Sequence, residues 1–271
     1  MPAYRESVPV SVIIPCFNCQ ITISRAIESV VQQSTQPAEI ILVDDGNADC
    51  TLETLRKIAN QHPKDWIKII SLNKNEGPGS ARNAGWNVAR GAYIAFLDAD
   101  DAWHPKKLEL QYRWMNAHPD VVLTGHGTQR LEEVAALRSQ LEELRGQAIS
   151  GRRLLLSNRF PTRSVMLKRD IPFRFLPGKR HAEDYLLWLQ IVLAGHPAHY
   201  LNAILAFSYK PDFGSAGLSS HLWRHEKGEL ATFNNLHQEG LISLPMHFAA
   251  STISILKFLR RTAITFFSRE S

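Results

Sequence analysis

The sequence predicts an α/β fold: a mostly parallel central sheet with helices on both faces, followed by a helical C-terminal extension. Two observations carry this. Short apolar runs alternate with segments of helical spacing, each roughly ten residues long, and two of those runs end in paired acids. Strands separated by helices pair side by side in parallel and bury both sheet faces.

The elements follow in order. Val10 to Pro15 (VSVIIP) is a β-branched, buried-strand run. Asn18 then offers a side-chain cap to a helix whose apolar face is Ile23, Ala26, Ile27, Val30 and Val31. Gln36-Pro37 breaks that helix, and Glu39 to Val43 (EIILV) forms the second strand, ending in Asp44-Asp45-Gly46-Asn47. Thr51 to Ala59 is helical, Trp66 to Leu72 a third strand, and Gly79 to Ala89 a third helix. The small residues of that helix (Ala81, Ala84, Gly85, Ala89) permit close contact with the sheet. Tyr93 to Leu97 is the fourth strand, and it ends in Asp98-Ala99-Asp100. Alternation along an extended chain points Asp98 and Asp100 to one side, where two hard oxygen ligands suit a divalent cation holding a diphosphate. The same pair also reads as turn carboxylates capping the next helix.

Composition narrows the class. With 271 residues, 44% apolar and 21% charged, the chain has ample core for a soluble globular protein. A net charge of +5 suits anionic substrates or lipid and is too small to argue for nucleic acid. Cys16, Cys19 and Cys50 are an odd set that reads as reduced thiols. The first residues (MPAYRESVPV) show no secretory pattern, so the body of the protein is expected in the cytoplasm, either free or peripheral on the inner face of the membrane. After the first strand comes Cys-Phe-Asn with no glycine, so neither a P-loop nor a dinucleotide fingerprint is present. Acids at the sheet edge instead suit hydrogen bonds to a base or ribose, with a metal neutralising the phosphates.

Four stretches in this order, 10–18 (VSVIIPCFN), 39–51 (EIILVDDGNADCT), 75–103 (NEGPGSARNAGWNVARGAYIAFLDADDAW) and 181–195 (HAEDYLLWLQIVLAG), resemble the family 2 glycosyltransferases with the GT-A nucleotide-sugar-binding fold. Together they span most of residues 8–210. The resemblance implies an inverting, metal-dependent transfer of a sugar from a nucleotide donor, with a UDP-sugar the expected one. The acceptor it implies is a hydroxyl of a cell-surface glycan or its lipid-linked precursor. It places Pro15, Phe17 and Asn18 in the base and ribose pocket, with Phe17 equally readable as core. It gives Asp44 the base N–H and Asp45 a supporting or ribose contact, although Asn47 stands where the family usually has serine. Arg82, after the mobile, glycine-rich 76–79 stretch, would meet the nucleotide. Asp98 would bind ribose or donor-sugar hydroxyls, Asp100 the Mn2+ or Mg2+, and Asp184 would be the general base. Asp101 reads as a helix cap or a support. The competing structural readings are loop caps for Asp44-Asp45, a surface salt bridge for Arg82, and first-turn helix acids for Glu183-Asp184.

The remainder is less informative. A charged helix over 131–144 is expected to cover the domain, and Arg152, Arg153, Arg159 and Arg163 either greet an acceptor or are ordinary surface. Leu201 to Tyr209 is a strand, and 210–220 a loop able to close over donor; Lys210 and His221 read as solvated, with diphosphate and metal contacts as the alternative. The chain divides into a catalytic domain, 1–240, and a basic apolar helical tail, 241–271. That tail either lies on an anionic membrane or docks on protein. A sugar-nucleotide-forming nucleotidyltransferase and an idle scaffold are the competing functions. The first lacks its Gly-rich, Arg-containing opening loop here, and the full set of acids speaks against the second.

Overall fold

The computed structural model describes residues 7–130, 144–209 and 222–267. The expected cover helix, apart from Leu144, and the 210–220 loop with Lys210 and His221 lie outside these residues.

The N-terminal half alternates as the sequence reading expects: β1 (Ser7–Cys16), α1 (Ile23–Val31), β2 (Gln36–Asp44), α2 (Thr51–Ala59), β3 (Ile67–Ser71), α3 (Pro78–Val88) and β4 (Tyr93–Phe96). These strands pair in parallel in the order β3-β2-β1-β4. Both faces are buried. Even-numbered residues of β1 (Val10, Val12, Ile14) pack with Ile23, Ile27 and Val30 of α1, while Ile13 packs with Ala81 and Trp86 of α3. Strand period fixes that division, since successive side chains point to opposite faces. Gly85 lets α3 lie close to the sheet: a Cβ there would fall 2.6 Å from Ile13 Cγ2 and 3.1 Å from Val43 Cγ2.

The second half continues the sheet with mixed pairing. It comprises β5 (Asp101–Trp103), α4 (Lys107–Ala117), β6 (Leu123–Arg130), β7 (Gly146–Ala148), α5 (Gly151–Leu156), β8 (Met166–Lys168), α6 (Glu183–Leu193) and β9 (Ala198–Ser208). The full order is β3-β2-β1-β4-β8-β6-β9-β5, with β7 also on β9. β8 runs antiparallel between β4 and β6, and β6 is parallel to β9. Two long helices, α7 (Leu222–Gln238) and α8 (Leu244–Phe267), close the described chain.

Three local expectations need correction. Asn18 does not cap α1, whose N-cap is Thr22; Asn18 sits at φ +47° and its Oδ1 accepts from the Ala48 amide at 3.1 Å. Asp98-Ala99-Asp100 is a turn rather than an extended strand end, closed by Asp101 N donating to Asp98 O at 3.1 Å. Finally, the stretch Tyr185 to Ala194, expected as an amphipathic helix, is buried around most of its circumference in α6, because α5 and α7 cover the side away from the sheet.

The tail is built into the fold on one side. Ile242 and Ala250 are core residues, and Ser254 Oγ lies 2.8 Å from carboxylate oxygens of both Glu226 and Glu229 on α7. The other side leaves Leu244, Phe248, Ile255, Leu256 and Leu259 exposed. Among the described residues no helix is long and apolar enough to cross a membrane.

Candidate active site at the carboxyl edge of the sheet

Parallel register sets the site. Cys16 of β1 is level with Asp44 of β2, which is level with Ser71 of β3. On the other side of β1, Phe96 pairs with Ile13, so Asp98 arrives at the same edge. Asp44 and Asp98 thus leave strands on either side of β1, about 10 Å apart by two strand spacings. The end of β1 lies between them, with Pro15 half-buried and Phe17 and Asn18 exposed. Exposure removes the core reading of Phe17. In an open α/β sheet this edge is where ligands bind.

Asn47 organises the β1–β2 mouth. Its side-chain amide donates to Asp44 Oδ1 and, at 3.2 Å, to Cys16 O, while its backbone N–H donates to Asp44 Oδ1 at 3.2 Å. Asp44 is therefore buried and fixed through one oxygen. Asp45 is clamped by the neighbouring loop: its Oδ1 accepts from Glu76 N at 2.8 Å and its Oδ2 from Gly77 N at 3.0 Å. Neither acid caps α2, where Asp49 Oδ1 accepts from Thr51 N instead. One correction follows for this loop: residues 76 and 77 are fastened to Asp45, directly after β2, rather than loose. This fastening is a supporting contact, and each Asp45 oxygen keeps a second lone pair. Gly46, at φ +67°, is required here: a Cβ would stand 2.5 Å from Asn75 N.

Arg82 is no surface salt bridge. It is 4% exposed, and its guanidinium spans two carboxylates: Nη2 to Asp98 Oδ1 at 2.7 Å and Nη1 to Glu183 Oε1 at 2.9 Å. Burial disfavours its charge, but Asp98 and Glu183 outweigh burial and raise its pKa above the usual arginine value. The same burial pushes Glu183 up to about 7, against the pull of Arg82 and with the push of neighbouring Asp184. Beside Arg82, Asn83 exchanges two hydrogen bonds with the Phe175 backbone, at 2.7 and 3.0 Å. This locks the guanidinium near the Phe175 ring, 5.4 Å from its centroid.

The fork joins α3, the Asp98 turn and the first turn of α6, so Asp184 is carried to the same place. Asp184 is partly buried; its Oδ2 accepts from Thr162 Oγ1 at 2.9 Å and from Asn158 Nδ2 at 3.4 Å. Its Oδ1 accepts from Tyr185 N at 2.7 Å. A carboxylate held in this way and still partly exposed can take a proton from an incoming alcohol.

Asp101 is neither a helix cap nor solvated. It opens β5, is buried, and pairs with Arg163 at 3.1 Å; burial, with Asp98 and Asp100 nearby, lifts it to about 7 although Arg163 opposes the shift. Arg163 is thereby a structural partner, not an acceptor contact or free surface. Asp98 and Asp100 both remain partly exposed on their turn. The described residues contain no group of three or more His, Cys, Asp or Glu able to hold a metal on their own. Two hard-oxygen carboxylates on one turn, one already tied to Arg82, fit a Mg2+ or Mn2+ whose other positions fall to phosphate and water.

The family model described as "Glycosyl transferase family 2" matches residues 11–175, well over half the chain. The chain belongs to glycosyl transferase family 2. Relatives of this glycosyltransferase include the amylovoran biosynthesis glycosyltransferase AmsE of Erwinia amylovora, 29% identical over 91% of this chain and 93% of that one. Another is the UDP-Glc:alpha-D-GlcNAc-diphosphoundecaprenol beta-1,3-glucosyltransferase WfaP of Escherichia coli, 30% identical over 76% and 78%. A mannosyltransferase from Pyrobaculum calidifontis, solved with GDP-Man and Mn2+, shares the fold at TM-score 0.68 and 19% identity, over 97% of this chain and 76% of that one. S. aureus TarS does so at TM-score 0.64 and 20% identity, with this chain spanning 43% of its length.

Sequence reasoning missed Thr162, Asn158 and the structural duty of Arg163. All three lie in a region with no motif signal, brought in by the short turn before β8.

Proposed function

We propose that this family 2 glycosyltransferase is an inverting enzyme that moves one sugar from a nucleoside-diphosphate donor to a hydroxyl of a glycan or lipid-linked glycan in cell-surface polysaccharide assembly. The observation that carries the reading is the Arg82 fork, which binds the donor-edge acid Asp98 to the first turn holding Asp184. The nucleoside lies across the mouth formed by Pro15, Phe17, Asn18 and Asp44, with Asp45 holding the 76–77 loop against it. Asp98 takes ribose or donor-sugar hydroxyls, and Asp100 is the metal ligand. A bound Mn2+ or Mg2+ supplies positive charge to the diphosphate. Asp184 takes the proton from the acceptor hydroxyl as that oxygen forms a bond to the anomeric carbon. The bond to the diphosphate oxygen breaks on the opposite face, and its electron pair leaves with the nucleoside diphosphate. One displacement inverts the configuration. Polysaccharide assembly is supported by AmsE, named for amylovoran biosynthesis, and a UDP-sugar donor with a lipid-linked acceptor by WfaP, named for UDP-Glc and a diphosphoundecaprenol-linked GlcNAc.

The exposed apolar face of α8, flanked by Lys257 and Arg260, fits an anionic membrane surface, so we place the enzyme at the cytoplasmic face of the membrane. The test is a panel of nucleotide sugars assayed for slow hydrolysis with and without Mn2+, with the anomer released from the active donor read by NMR. Metal-dependent release of the inverted sugar is expected. Retention of configuration, or hydrolysis indifferent to metal, contradicts the reading.

A further inference from the structure

Three consecutive residues, Thr162–Ser164, form one 3-10 turn between α5 and β8. Successive side chains of such a turn diverge by about 120°. Each residue of this one therefore reaches a different element. Thr162 Oγ1 donates to Asp184 Oδ2 at 2.9 Å, on α6. Arg163 Nη1 donates to Asp101 Oδ2 at 3.1 Å, on β5. The Ser164 carbonyl accepts from Gln111 Nε2 of α4 at 3.0 Å.

Residue 163 is gripped by β5 twice. Asp101 and Trp103 lie two residues apart on that strand and so share one face. Asp101 takes the guanidinium, and Trp103 Nε1 donates to the Arg163 carbonyl at 2.8 Å. Asp101 is also the residue whose backbone N–H closes the Asp98 turn, donating to Asp98 O at 3.1 Å. The turn that presents Asp100 is thus fastened through Asp101 to Arg163, and the residue before Arg163 holds Asp184. Asp101 is 3% exposed and the Arg163 side chain 19%, so their pairing is shielded from solvent and little screened by salt. The turn between the two ends is closed by its own backbone: Ser164 N donates to Pro161 O at 2.8 Å and Val165 N to Thr162 O at 3.0 Å. Neutralising Asp101 needs the guanidinium alone. The second bond, from Trp103 to the backbone of residue 163, fixes where the turn sits and Thr162 with it.

We propose that Arg163 is a positioning residue that couples the two halves of the site. Through Asp101 it sets the turn that holds the metal, and through its own backbone it sets Thr162 and so the orientation of Asp184. This rests on the transfer reading above and adds a residue that touches neither donor nor base yet arranges both.

The test compares R163M, R163K and T162V as full chains in two measurements. One is calorimetric titration, with and without Mn2+, of whichever of UDP, GDP and dTDP the protein binds best. The other is turnover of the active nucleotide sugar at saturating donor and Mn2+. T162V is expected to leave Mn2+-dependent nucleotide affinity within about 2-fold of the unaltered protein and to lower turnover by about 10-fold. R163M should lower both by about 10-fold, and R163K, which keeps the charge facing Asp101, should recover part of each. The double variant R163M/T162V should turn over about as fast as the slower single variant, because both changes act through one hydroxyl. Losses that multiply to about 100-fold overturn the coupling, as does unaltered turnover in R163M. Mn2+-dependent binding that is unaltered in R163M overturns the hold on the metal turn. If urea unfolding shows that R163M does not fold, R163K and R163K/T162V are read in the same way. An unaltered protein without turnover, or without Mn2+-dependent nucleotide binding, contradicts the transferase reading and removes one of the two ends that Arg163 would join.

Discussion

Arg82 and Glu183, 101 residues apart in the chain, meet at 2.9 Å in the protein interior, and the same guanidinium reaches Asp98 at 2.7 Å. A planar fork can serve two carboxylates at once, whereas an ammonium is a point charge. Arg82→Met leaves Glu183 buried without its partner and is expected to lower stability by about 3–5 kcal/mol. Arg82→Lys should recover part of that stability but little donor affinity, because one carboxylate is left without its bond. Urea unfolding and nucleotide titration on the two variants check this.

Asp45 gives a prediction that separates support from contact. Asp45→Ala strands the buried Gly77 amide, at a cost of about 1–3 kcal/mol, while the amide of exposed Glu76 turns to water. Asp45→Asn keeps one acceptor and should be milder in both stability and donor affinity. Equal donor loss in the two variants, with stability unchanged, would instead make Asp45 a direct ligand contact.

Glu183 makes stability depend on pH in a defined direction. Its pKa rises in the native state from 4.5 to about 7. Between these values the unfolded chain has released a proton that the native chain retains, so this group's contribution falls as pH rises through the window. The unfolding midpoint measured at about pH 5 and about pH 8 should differ less in Glu183→Gln than in the unaltered protein. A larger difference in the variant would reverse the sign.

Asp100→Ala should abolish the Mn2+ dependence of nucleoside-diphosphate binding, with affinity falling to the level seen in excess chelator. Calorimetry with and without Mn2+ reads this directly. Metal-dependent binding that persists in the variant would move the metal ligand elsewhere.

Much of the fold is legible in the residue pattern. The strand–helix alternation through β4 follows from period alone, because β1, β2 and β4 are buried on two faces and each helix on one. The acids at the ends of β2 and β4 were visible because they interrupt apolar runs. The antiparallel β8 was not, since three residues carry no period. The Asp98 turn was misread as extended because alternation cannot register a backbone hydrogen bond that closes the chain on itself. Arg82 gave no sign of burial in its glycine-rich surroundings; only the fold brings Glu183 and Asp98 to it. Thr162 and Asn158, which orient Asp184, come from a stretch where nothing in the residue pattern announces a ligand-facing turn.

The most direct test of the central claim is the rate of sugar transfer by Asp184→Asn under saturating donor and acceptor. The account predicts unchanged donor affinity and a fall in turnover of at least about 100-fold, the usual scale for a general base. Turnover within a few-fold of the unaltered enzyme would contradict it and remove Asp184 from the chemistry.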